Sequence, residues 1–145
     1  MNVVKTIDPI EKLEGAMLQL EQVDTPLTHR FAPGVYLREI FMPADTIVIG
    51  HKHKTKHFNI ILEGSAQVMM DGEMYHLGPG CTFTSEPGVR KVLHVLEDMR
   101  WQTVHPTDEV EIETLEDMLI EKSETWLERE KELIEAEMKQ LGVMV

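Results

Sequence analysis

Hydrophobic positions along the chain change their period twice. From Ile7 to about Gln22 the apolar residues Ile10, Leu13, Met17 and Leu20 recur at helical spacing. Asp8-Pro9 supplies a start signal, and Gly15 weakens the pattern from within. The pattern predicts a short amphipathic helix packing on the body of the domain. From Phe31 to Pro106 the period shortens, and brief apolar runs alternate with turn residues. Strands are predicted over 35–42, 46–53, 58–62, 66–70, 74–77, 82–84, 91–96 and 101–105. Between them lie Pro33-Gly34, Ala44-Asp45, Gly64-Ser65, Asp71-Gly72, Pro79-Gly80, Pro87-Gly88 and Glu97-Asp98, and Asp71-Gly72 is the strongest hairpin signal. Many short strands at regular spacing predict a sandwich or barrel.

The third pattern occupies 113–141, which holds neither proline nor glycine and is rich in Glu, Leu, Lys and Met. It predicts one long acidic helix. Ile120, Leu127, Ile134 and Leu141 fall seven apart, with Leu119, Trp126 and Leu133 beside them. A seven-residue stripe kept for about three heptads suits pairing with a second copy, so a homo-oligomer, dimer or higher, is expected; the simpler alternative is a helix lying across its own domain. The predicted organisation is a helical segment over 1–30, a β domain over 31–108 and a C-terminal helix over 109–145.

Composition narrows the function classes. The chain has 145 residues, enough for one domain with a real core, and its single cysteine, Cys81, rules out an internal disulfide and a cysteine-rich zinc module. A net charge of −12 opposes binding to a phosphate backbone, so no nucleic-acid partner is expected. No apolar run reaches membrane-spanning length and no signal peptide is evident, so the expectation is no membrane partner and a cytoplasmic protein.

Chemistry concentrates in His51-Lys52-His53-Lys54-Thr55-Lys56-His57, which carries three of the seven histidines. In an extended strand the three histidines share one face with Thr55, and the lysines share the other. Neutral imidazoles inside a cavity could hold iron, manganese, nickel or zinc with coordination positions left open. The alternative is an exposed, partly protonated loop without a ligand.

The run from Gly50 through His51, His53 and His57 to Gly64 resembles the first signature of the cupins. Phe41-Met42-Pro43-Ala44-Asp45-Thr46 resembles the turn into that signature. Tyr75-His76-Leu77-Gly78-Pro79-Gly80 and Glu86-Pro87-Gly88-Val89 resemble the second. The resemblance spans 35–105 and implies a single jelly-roll β-barrel. It also implies ligand roles for His51 and His53, with His57 standing where the family carries a glutamate and Lys91 where it carries a histidine. His94 is a fourth candidate ligand, facing inward only if a bulge shifts the register. Lys91 and Arg90, with Tyr36 and Arg38 on a neighbouring strand, are candidates to bind a small, anionic molecule; Glu39 is a candidate acid or base.

Three functions stay open on this basis: a metal-dependent enzyme of oxygenase or isomerase type, a metal-free binder of a small molecule, and a structural protein assembling through its C-terminal helix. The overall layout also resembles small cupin-like proteins of tailed phages and prophages, which implies a host cytoplasm as the working location. His29, His76 and His105 lie near turns or strand ends and read as surface or hydrogen-bonded residues.

Overall fold

A computed structural model describes residues 8–142. Ile7, where the predicted first helix begins, lies outside them. The chain divides into a sheet unit, Val23–Glu121, and a helical unit whose described residues are 8–22 and 122–142.

The sheet unit is antiparallel throughout. Its strands are β1 (Leu27–Ala32), β2 (Val35–Met42), β3 (Ile47–Ile49), β4 (Lys52–His53), β5 (His57–Met70), β6 (Glu73–Leu77), β7 (Thr82–Ser85) and β8 (Val92–Pro106). Five follow the order β1-β2-β8-β5-β6, while β3 joins β8 and β7 joins β5, which is a jelly-roll arrangement. Alternation decides what faces inward. On β2, Tyr36 and Met42 are buried with Arg38 and Ile40 between them in phase; on β8, Met99, Trp101, Thr103 and His105 share the inner face. Met42, Ile61, Val68, Leu93, Val95, Met99 and Trp101 form the main core, each burial of a large apolar side chain contributing roughly 1.5–3 kcal/mol. The outer face of β2 holds Glu39, bonded by Arg100, Arg30 and Gln102, so this carboxylate is spent on structure. Burial alone would raise its pKa, but the bonds from Gln102 and Arg100 bring it below the ordinary value.

Two pairs of predicted strands are each one continuous strand. β5 runs through the expected break at Gly64, and β8 runs through the break at Glu97-Asp98. The breaks face each other, and pairing continues across them with register shifts between Ile61 and Ala66. Gly64 makes this possible. Its φ is +78°, and a Cβ there would stand 2.2 Å from the Asp98 carbonyl oxygen. Asp98 in turn accepts the Ala44 N–H at 2.8 Å, which anchors the β2–β3 turn. Conversely, the predicted strand 46–53 splits in two because it changes partner: β3 pairs with β8, and β4 pairs with β9 (Ile120–Glu121). β1 has no counterpart in the sequence reading.

The expected single C-terminal helix is two helices. α2 (Ile112–Leu119) ends where β9 begins, and α3 (Glu124–Gln140) starts afresh with Ser123 accepting the Trp126 N–H at 3.0 Å. Ile120 turns inward to 6% exposure, in a second small core with Tyr36, Leu115 and Leu119. The heptad stripe therefore ran through a break, because Leu119 and Ile120 serve the sheet unit while Leu127, Leu133 and Ile134 stay exposed on α3.

In the helical unit, α1 (Pro9–Met17) starts with Asp8 accepting the Ile10 N–H and packs beside α3. Glu11 accepts both the Thr125 hydroxyl and N–H, the Ser123 hydroxyl donates to buried Glu14, and Arg129 donates to the Leu18 carbonyl. No helix among the described residues is long and apolar enough to cross a membrane.

Gly64→Ala should lower stability by about 3 kcal/mol or more, because the added methyl meets backbone that cannot yield. Gly72→Ala, also at positive φ but in open space, should cost only about 1 kcal/mol. Urea midpoints of the two variants measure the contrast, and equal losses would contradict the close approach.

Candidate functional site

A cavity of about 310 Å³ opens inside the sheet unit. Ile40, Met42, Val48, Leu93 and Trp101 supply its apolar wall. Thr25, Arg38, His51, His53, Asn59, Lys91 and Thr103 supply its polar groups, and no carboxylate lines it among the described residues. Each polar group has a structural origin. Arg38 and Thr103 face inward by alternation and are register partners across β2 and β8. Asn59 is locked by donating to the Ser85 hydroxyl at 2.8 Å and accepting the Trp101 indole N–H at 3.0 Å, which satisfies the polar edge of a buried indole. Lys91 precedes β8, and its carbonyl accepts the Gly50 N–H at 2.9 Å. His53 is held by β9, since Lys52 and His53 pair with Glu121 and Ile120 and the Lys54 N–H bonds to the Leu119 carbonyl.

The histidine run behaves partly as alternation predicts. His51 and His53 line the cavity, His57 is buried beside them, and Lys54 and Lys56 are exposed. Those lysines are occupied: Lys54 donates to the Asp117 carbonyl and Lys56 pairs with Glu86. Behind the cavity wall His53, His57 and His105 cluster, with ring centroids 4.3, 5.0 and 5.6 Å apart. Tyr36 stacks on His105, and its hydroxyl bonds His29 Nδ1 at 2.5 Å.

Acceptor identities fix the tautomers. The Thr55 carbonyl can only accept, so His57 Nδ1 donates to it at 3.0 Å and His57 Nε2 is bare. His53 Nδ1 therefore donates to His57 Nε2 at 2.9 Å, leaving a bare nitrogen at His53 Nε2. His105 Nε2 lies 2.9 Å from the Thr103 hydroxyl, while its Nδ1 is buried without a hydrogen-bond partner among the described residues.

Burial dominates the electrostatics. It drives the His53 pKa down to about 2, with the charges of His57, Lys91, His105 and Arg38 adding to the effect. His105 falls to about 4, through burial and then His57 and Arg38. His57 is lowered by burial, against the opposing bond to the Thr55 carbonyl, and further by Lys91. Lys91 drops to about 8, because burial disfavours its ammonium and Asp71 offsets little of that. The Lys91 side chain makes no hydrogen bond or ion pair among the described residues, whereas Arg38 pairs with Glu116 at 3.3 Å.

The predicted residues thus divide. His51, His53, Lys91 and Arg38 come together around the cavity. Tyr36 is buried behind it, and Arg90 bonds the Gly50 carbonyl instead of reaching in. His94 faces outward between buried Leu93 and Val95, because β8 alternates regularly there and no bulge turns it. His105, which reads as a strand-end residue in the sequence, belongs to the histidine cluster. Its one available signal was the in-phase series Trp101, Thr103, His105.

The metal that the cupin resemblance implies does not fit these residues as they stand. His53 and His57 spend ring nitrogens on each other, Lys91 brings an ammonium to the place of the family's histidine, and no acid faces the cavity. Among the described residues no group of three or more His, Cys, Asp or Glu side chains is arranged to hold a metal ion.

Comparison with known proteins agrees with the fold and the cavity. The AraC-like ligand binding domain matches residues 35–135, more than half of the chain. The chain belongs to this family. Among solved structures it is similar to a cupin superfamily protein from Desulfitobacterium hafniense, with a TM-score of 0.50 and 10% identity over 65% of this chain and 87% of that one. The EutQ protein of Clostridium difficile gives a TM-score of 0.48 and 16% identity over 59% of this chain and 70% of that one. The DMSP lyase DddQ of Ruegeria pomeroyi gives 0.47 and 22% over 53% of this chain, which spans only 40% of the lyase. At such identities the likeness is one of fold. A search of curated proteins finds no match.

Stability should fall as the solution is acidified below about pH 6.5. The unfolded chain protonates His53 and His105 near 6.5, while the folded chain resists down to about 2 and about 4, so the unfolded state binds more protons in that window. Each histidine contributes a slope of up to about 1.4 kcal/mol per pH unit. Urea unfolding from about pH 7 to about pH 5 measures this. His105→Gln should flatten the slope, and an unchanged slope would contradict neutral burial.

Proposed function

We propose that the sheet unit captures a small organic anion, a carboxylate with a short apolar body, without a bound metal. The observation that carries this reading is the pairing of Arg38 and Lys91 in one apolar-walled cavity with no acid in its lining. A half-buried ammonium with no ion pair among the described residues is stabilised by an anionic ligand. Membership of a ligand-binding domain family supports the same reading. A cavity of about 310 Å³ suits a molecule at the small end of the usual range. Arg38 offers a planar fork to a carboxylate and gives up Glu116 to do so.

Isothermal titration with butyrate should detect binding that weakens as pH rises past about 8, where Lys91 loses its proton. Arg38→Met should raise Kd by ~30-fold, the loss of about 2 kcal/mol for one charged hydrogen-bond partner. Lys56→Met, on the outer face, should leave Kd unchanged. No measurable binding would sink the proposal. So would binding that vanishes after chelator treatment and returns with iron, manganese, nickel or zinc, which is the outcome a metal on His51, His53 and His57 demands.

A second reading, self-association through α3, is favoured by one observation: Leu127, Leu133 and Ile134 are each about half exposed on that helix. Leu127→Glu combined with Ile134→Glu should convert an oligomer to a monomer in sedimentation. A wild-type protein already monomeric at micromolar concentration would refute it.

A further inference from the structure

The anion reading leaves one side chain unexplained. Arg38, the other cation lining the cavity, is already paired with Glu116. Lys91 lines the same cavity as Leu93 and Trp101, half-buried, with no carboxylate among the described lining residues and no hydrogen-bond or ion-pair partner for its side chain among the described residues. A partly desolvated amine without an ion-pair partner holds more of the neutral form that attacks a carbonyl carbon.

We propose that Lys91 captures the carbonyl carbon of a small α-oxo acid as an imine, with Arg38 in the same cavity as the partner of its carboxylate. This rests on the anion reading and names the ligand class. The neutral Nζ attacks the carbonyl carbon, forming a C–N bond while the C=O π pair moves to oxygen and takes a proton. The carbinolamine loses that oxygen as water, with a second proton from solvent, and the C=N double bond forms. The second proton of the amine passes to solvent or stays on the iminium nitrogen. No oxidant or reductant is consumed, and hydrolysis reverses the sequence.

Burial supports the chemistry quantitatively. With its pKa lowered from 10.5 to about 8, Lys91 holds a neutral-amine fraction near neutral pH ~10²-fold above that of an ordinary lysine. Lys54 and Lys56 on the adjacent outer face are internal controls, being exposed and held by the Asp117 carbonyl and by Glu86.

The test uses the full chain with pyruvate as probe. The protein is incubated with pyruvate, reduced with borohydride, weighed intact and mapped by peptide. One reduced adduct per chain on Lys91, formed at least ~10-fold faster than on Lys54 or Lys56, is the expected result. It should disappear in Lys91→Arg. Arg38→Met should slow trapping of pyruvate but not of acetaldehyde, which has no carboxylate. The absence of a Lys91 adduct in the wild-type protein, or adducts spread equally over the surface lysines, would overturn the imine. Butyrate separates the two claims: if it binds while pyruvate leaves no adduct on Lys91, anion capture stands and the imine falls. If neither binds nor reacts, both fall.

Discussion

The antiparallel pairing of β5 with β8 is the constraint on which the rest depends. These two strands run side by side from Phe58 and Val104 at one end to Met69 and Val92 at the other. Nearly every polar group of the cavity is carried by them or by a segment fastened to them. β5 supplies Asn59 to the cavity and His57 to the histidine cluster, β8 supplies Trp101 and Thr103 to the cavity and His105 to the cluster, and β2 and β3 hang from β8 on its other edge. The pairing survives its own irregularity because a residue without a side chain stands where the two backbones close to contact. Any bulkier residue would separate the strands at their midpoint, and with them the apolar half of the core from the histidine half.

The interior that results separates two kinds of polar group. Histidines can be buried at modest cost because they give up their charge, and three of them do so by passing hydrogen bonds between ring nitrogens or to nearby oxygens. Arginine cannot give up its charge, so Arg38 keeps a carboxylate partner in Glu116. Lysine lies between these cases. The cavity is therefore neutral over most of its polar surface and cationic at two places.

Much of this was legible in the chain. The 2.0-residue period located most of the strands, and the glycine and histidine spacing from Gly50 to Gly64 carried the fold. The inward facing of His51 and His53 matched alternation, whereas a bend at Lys54-Thr55 puts His57 on the next strand. What escaped detection depended on partners distant in sequence. β4 parts from β3 only because it has a different neighbour, a pair of residues from the C-terminal region. The same pair breaks the heptad stripe, since a seven-residue series in sequence cannot reveal that Leu119 and Ile120 are claimed by Tyr36 and Leu115. His105 escaped for a related reason: its place in the cluster is set by registry with Tyr36 across β2 and β8. Lys91 was visible as an anomaly in the sequence, while its half-buried place in the cavity required the tertiary structure.

The two-residue ladder between β4 and β9 also has a temporal side. Every strand of the seven-stranded sheet is encoded before Thr107, whereas Ile120 and Glu121 follow it. In a chain made vectorially from its N-terminus, the sheet can assemble while the segment that clasps His53 is still inside the ribosomal tunnel. During synthesis the histidine strand is the last part of the site to acquire its final neighbours.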